Sequence, residues 1–187
     1  MSDSFKKFES GDNVVWITQP KKIDQFIKRK EIAFKIAKGK IEDNGGKIQP
    51  AIQTAEAFGR SLFEEYLKGE TNDWTIQKWL EPLVKNIFNP MGTGATITNI
   101  TDNQAESFVF NYYLNSEEKS DPYLTSIFNY GILKGVFLSA FPNGELLMKN
   151  SMAYGAPMDK FTFKTNKIEN EDEINKKNLM KNNYARK

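Results

Sequence analysis

Residues 121–141 read DPYLTSIFNYGILKGVFLSAF, and how this segment folds decides the architecture of the chain. Ser120 and Asp121 ahead of Pro122 form a helix start: a short polar side chain accepts a free backbone N–H, and proline fits the first turn. The PNG at 142–144 is a stop. Between these signals the apolar residues fall on every side, so the helix belongs in the interior. Gly131 and Gly135 share one of its faces, where a missing side chain lets a neighbour come close. Close packing of that face on a sheet, and room there for a flat or acyl ligand, are both open readings.

On either side of this helix the helical spacing gives way to alternation. Before it, ATITNIT (95–101) and ESFVFNYYL (106–114) are β-branched and aromatic runs separated by Asp102, Asn103 and Gln104, an antiparallel hairpin. After it, ELLMKNSM (145–152) and KFTFKT (160–165) form a second pair, joined by residues 153–158. In the first pair Phe108, Phe110 and Tyr112 fall on one face and Val109, Asn111 and Tyr113 on the other, and one of these faces must be core.

Upstream, three helices are expected. The first starts near Pro20, places Phe26, Ala33, Phe34 and Ala37 at helical spacing, and stops at NGG (44–46). The second spans 50–68 with Gly59 in its interior, a choice that costs about 1 kcal/mol relative to alanine and predicts another backbone close by. The third begins near Asp73 as N-cap, and Pro82 should kink it or shift its start. Residues 1–19 read as mixed and irregular, with VVWI (14–17) able to form a short strand or anchor.

The resulting order α-α-α-β-β-α-β-β is an α+β fold, with helices covering a four-stranded antiparallel sheet. The division expected is an N-terminal extension with a basic amphipathic helix (1–48), a domain (49–165) and a charged, Asn-rich flexible tail (166–187).

The 187 residues are 39% hydrophobic and 13% aromatic, enough for one folded core. Cysteine and histidine are both absent. Disulfides, thiolate metal sites, cysteine nucleophiles and thioester-linked acyl chains are thereby excluded, as are imidazole bases and histidine-ligated haem. No metal site is expected. No apolar run is long enough for a spanning helix and the N-terminus lacks a signal-peptide pattern, so a soluble, cytoplasmic protein is the expectation. The carboxylate runs Glu64-Glu65, Glu117-Glu118 and Glu171-Asp172-Glu173 are adjacent in sequence and read as solvated surface. MGTG (91–94) lacks the lysine of a phosphate loop and is followed by a hairpin rather than a helix.

Three segments, AFGRSLFEEYL (57–67), FNYGILKGVF (128–137) and SMAYGAPMDKFTF (151–163), together resemble the 4-vinyl reductase-type domain and its structural relatives among TRAPP vesicle-tethering subunits. That family shows two glycines four apart on a helix and then a Cys-x-x-x-Gly-x-x-x-Cys-x-Phe element. This chain keeps Gly131, Gly135, Gly155 and Phe161 and has Ser151 and Asp159 where the two thiols stand. The resemblance implies a TRAPP-like fold, a dimer or other protein partner, and a hydrophobic ligand such as a tetrapyrrole or acyl chain between helix and sheet. The predicted helix and hairpins, rather than any motif, place Phe110, Tyr112, Phe128, Tyr130, Gly131, Gly135 and Phe161 as the residues to line such a site, although aromatic stripes more often simply form a core.

These readings favour a non-enzymatic binding or assembly module. An enzyme or accessory factor in tetrapyrrole modification, with Tyr112, Tyr130, Tyr154 or Asp159 as proton donors, is the alternative, and a structural subunit of a TRAPP-like complex is a third. No nicotinamide or flavin fingerprint is present. From Pro20 to Lys40 the sequence carries eight lysines and arginines against Asp24 and Glu31, a local net of +6. A solvated face, an anionic membrane or protein surface, and nucleic acid are the three readings of that helix, nucleic acid being the least supported.

Overall fold

Alternation and helical spacing each find their elements in the computed structural model, which describes residues 5–10, 13–21, 23–71, 73–112 and 121–166. In chain order these are β1 (Phe5–Ser10), β2 (Asn13–Thr18), α1 (Asp24–Asp43), α2 (Gln49–Tyr66), α3 (Ile76–Pro82), β3 (Gly94–Thr98), β4 (Gln104–Asn111), α4 (Pro122–Ala140), β5 (Glu145–Asn150) and β6 (Asp159–Lys164). Ser120, Tyr113, Glu117-Glu118 and the tail beyond Asn166 lie outside the described residues.

The sheet has six strands rather than the expected four, all antiparallel, in the order β1-β2-β3-β4-β6-β5. The two additional strands come from the segment expected to be irregular. β1 and β2 form a hairpin in register from Phe5↔Thr18 to Ser10↔Asn13, and β2 docks on β3 through Trp16↔Ile97. Thr18 fastens the junction: its Oγ1 donates to the Thr93 carbonyl (2.9 Å) and accepts from the Ala95 N–H (2.8 Å). The element order is therefore β-β-α-α-α-β-β-α-β-β.

On β4 the core face is Ala105, Ser107 and Val109, all buried, so the aromatic stripe points the other way: Phe108 is half-buried and Phe110 is 51% exposed. Tyr112, one residue past the strand, is buried all the same. The core face continues through Ala95 and Ile97 on β3 and through Phe161 and Phe163 on β6.

Helices cover that inner face. Asp121 caps α4 as expected, its carboxylate accepting from the Leu124 N–H at 2.9 Å. The third helix is capped by Thr75 rather than Asp73, the Thr75 hydroxyl accepting from the Lys78 N–H. Pro82 cannot donate to a preceding carbonyl, and there the winding changes from α to a π turn over Leu83–Phe88.

The glycines of α4 do not meet the sheet. They meet α2. A Cβ on Gly135 would lie 2.1 Å from the Glu56 carbonyl oxygen, one on Gly131 2.6 Å from the Ala55 Cβ, and one on Gly59 of α2 2.1 Å from the Ile132 oxygen. Three glycines thus bring two backbones into contact, as Gly59 alone had suggested. Beside the contact Lys134 of α4 reaches the Glu56 carboxylate at 2.9 Å, and Arg60 pairs with the same carboxylate.

Candidate functional site

The most chemically distinctive cluster lies where the resemblance places two thiols. Asp159 opens β6 on its core face and is fully buried. Its Oδ2 accepts from the Tyr112 hydroxyl at 2.9 Å and faces the Ser126 hydroxyl of α4 at 3.5 Å, the limit for such a bond. Its Oδ1 accepts from the Met152 N–H at 2.6 Å. Ser151 is also buried, and its Oγ accepts from the Ala153 N–H at 3.2 Å, capping a single 3-10 turn at Met152–Tyr154. Gly155 ends that turn at φ +83°, a left-handed conformation that favours glycine. Ser151 and Asp159 therefore clasp the two ends of one loop with hydrogen bonds.

The electrostatics suit a structural clasp better than proton transfer. Burial, then the negative charge of Asp159 and its hydrogen bond, raise the Tyr112 hydroxyl well above its ordinary pKa of 10.0. Tyr112 stays protonated and donates, and so it makes a poor acid or base near neutral pH. Tyr130 is also raised, mainly by burial, and its hydroxyl donates to the Leu146 carbonyl at 3.3 Å. Tyr154 is 73% exposed beside Tyr123, their rings 5.6 Å apart.

The seven residues expected to line one pocket occupy four places. Phe110 is on the open face of the sheet, Gly131 and Gly135 are against α2, and Tyr130 bridges α4 to β5. Tyr112, Phe128 and Phe161 are buried on the inner side, Phe128 meeting Phe34 of α1 edge-on at 5.2 Å. Deeper in, Trp79 meets Phe163 at 5.1 Å and Phe137 at 5.2 Å, and Phe137 meets Phe163 at 5.2 Å. The Trp79 Nε1 and Ser107 Oγ in this interior have no hydrogen-bond partner among the described residues.

Clefts open on the surface of the described residues. One of about 450 Å³ lies between Glu70, Lys78, Glu81 and Lys85, and one of about 420 Å³ between Trp74, Asp102 and Phe141. Neither contains a residue singled out in the sequence for ligand binding. Among the described residues no cluster of three carboxylates or other metal-binding side chains forms, and no helix is long and apolar enough to cross a membrane.

Sequence reasoning passed over one feature of α1. Ile32 and Ile36 are 60% and 51% exposed, off the buried face. Their signal was present as two isoleucines one turn apart and out of phase with Phe26, Ala33 and Phe34.

No protein-family model and no curated protein matches the sequence. Among solved structures the chain is similar to a trafficking protein particle complex subunit 3 from Naegleria fowleri, covalently bound to palmitic acid. The identity is 13%, the TM-score is 0.52, and the match covers 75% of this chain and 94% of that one. At that identity the likeness speaks for the fold alone: this chain has an α+β architecture like that of a TRAPP subunit.

Proposed function

We propose that this chain is a non-enzymatic assembly module, a TRAPP-like subunit whose fold presents surfaces to protein partners, the first of them a second copy of itself. The observation that carries the reading is the occupied interior. Between α4 and the sheet, where a ligand was expected, Trp79, Phe137 and Phe163 interlock and Phe128 and Phe161 are fully buried. The likeness to a protein named as a complex subunit supports the same reading. The partner surface we assign is the open face of the sheet, where Phe110 is an exposed aromatic beside Phe108. Native mass spectrometry of the full chain tests this. The expected mass is that of two chains, reverting to one in Phe110→Ser; a monomeric wild-type protein overturns it.

A second reading keeps a hydrophobic small molecule, an acyl chain or a tetrapyrrole. The Trp79 Nε1 and Ser107 Oγ, without a partner among the described residues, favour it, since each offers a buried hydrogen bond to a ligand. The palmitic acid on the Naegleria fowleri subunit adds to that side. Here any acyl chain would be held without a thioester, because the sequence has no cysteine. In the same spectrum a mass increment lost on denaturation supports this reading. Visible absorption by that species would point to a tetrapyrrole, and with it to a 4-vinyl reductase-type role as an accessory factor.

A further inference from the structure

α1 buries Phe26, Ile27, Ala33, Phe34 and Ala37 on one side. The opposite side is a line through Lys28, Ile32, Lys35, Ile36 and Gly39, since residues three and four apart stack on one face. Ile32 is 60% and Ile36 51% exposed, and Lys28, Lys35 and Lys40 are exposed around them. Core packing explains neither isoleucine.

The charge is arranged around the same pair. Arg29 is bound to Glu65 at 2.7 Å and Lys30 is buried, so these two basic groups serve the fold. The exposed acids of α1 sit at its ends, Asp24 in the first turn and Glu42 and Asp43 in the last. Glu31 is the one acid in the middle, half-buried at the flank. The centre of the line is thus two isoleucines ringed by lysines.

We propose that this line of α1 docks on an anionic lipid bilayer. Ile32 and Ile36 enter the boundary between headgroups and acyl chains, while Lys28 and Lys40 lie along its face and reach lipid phosphates with their flexible stems. A protein partner would want a groove or a broad apolar patch, and two isoleucines on a convex helix offer neither. Nucleic acid would gain charge contacts but would desolvate the isoleucines with no base stacked on them. The inference stands apart from the assembly reading, because it uses α1 and not the open face of the sheet.

The test is co-sedimentation of the full chain with phosphatidylcholine vesicles, with and without phosphatidylserine. Binding is expected only with phosphatidylserine, and it weakens as salt rises. Ile32→Ser with Ile36→Ser lowers the affinity by about fivefold per isoleucine, half-exposed as each is. Lys28→Gln with Lys40→Gln lowers it by about fivefold per lysine. Circular dichroism should be unchanged in both double variants. Absence of binding to phosphatidylserine vesicles overturns the proposal, as does wild-type affinity in either double variant. A change in solution mass in the isoleucine variant with vesicle binding intact also overturns it, and assigns the line to a protein contact.

Discussion

Asp159 ties three segments together through one buried carboxylate: the end of β4 through Tyr112, the loop before β6 through Met152, and α4 through Ser126. Asp159→Ala leaves the buried Tyr112 hydroxyl and the half-buried Met152 N–H unmatched, and should cost roughly 2–4 kcal/mol in urea unfolding. Asp159→Asn keeps an acceptor for Met152 and should lose about half of that. Tyr112→Phe removes one hydrogen bond to a charged acceptor, about 1–2 kcal/mol at neutral pH. Its pH dependence is more diagnostic. The folded Tyr112 holds its proton above the ordinary pKa of 10.0, so its contribution is full below that pH and is lost as the pH rises beyond it. The stability gap between wild type and Tyr112→Phe should therefore narrow above pH 10.0, read from urea midpoints across alkaline buffers. At this scale the sequence was half legible. The spacing in SMAYGAPMDKFTF marked Ser151 and Asp159 as a pair around a glycine turn, but Tyr112 lies 47 residues from Asp159 and nothing local announces the bond.

Among the elements, the α2–α4 contact is set by absent side chains. Gly135→Ala would drive a Cβ to 2.1 Å from the backbone oxygen of Glu56, which cannot move without parting the helices. The expected cost is roughly 3 kcal/mol or more, at the upper end of overpacking, and a clear fall in thermal midpoint. Gly155→Ala is the contrast: no atom lies near its Cβ, and the left-handed φ alone should cost about 1 kcal/mol. If Gly135→Ala proves as mild as Gly155→Ala, the two helices are not held in backbone contact. The glycine pair itself was plain in the sequence, as was the close approach at Gly59. Which two elements meet was not, because helical spacing records how often a face recurs and not what it recurs against. The aromatic stripe of β4 left the core face undecided for a related reason. Alternation identifies two faces, and the smaller residues Ala105, Ser107 and Val109 took the core because α4 and the rings of β6 already fill it.

For the whole molecule, the N-terminal hairpin turns what would be a sheet edge at β3 into an interior strand. Its sequence conceals this: FKKFES has three charged residues in six and little apolar alternation, so only pairing with β2 defines it as a strand. Trp16 and Thr18 nonetheless belong to the buried interior, Thr18 by two hydrogen bonds to the start of β3. The chain is also tied to the turn ahead of β3 before it enters α1, with the Lys21 N–H donating to the Asn89 carbonyl and the Ile23 N–H to that of Pro90. Deleting residues 1–19 should then act on the fold rather than trim an appendage. It unpairs the β3 edge, uncovers the space filled by Trp16, and leaves the Ala95 N–H without the Thr18 hydroxyl. The expected outcome is a loss of more than 3 kcal/mol, roughly the range for removing a large buried side chain, together with concentration-dependent light scattering as exposed edges pair between molecules. A truncated chain that melts cooperatively within a few degrees of the full chain and stays free of scattering would make the hairpin an accessory to a self-sufficient four-stranded core.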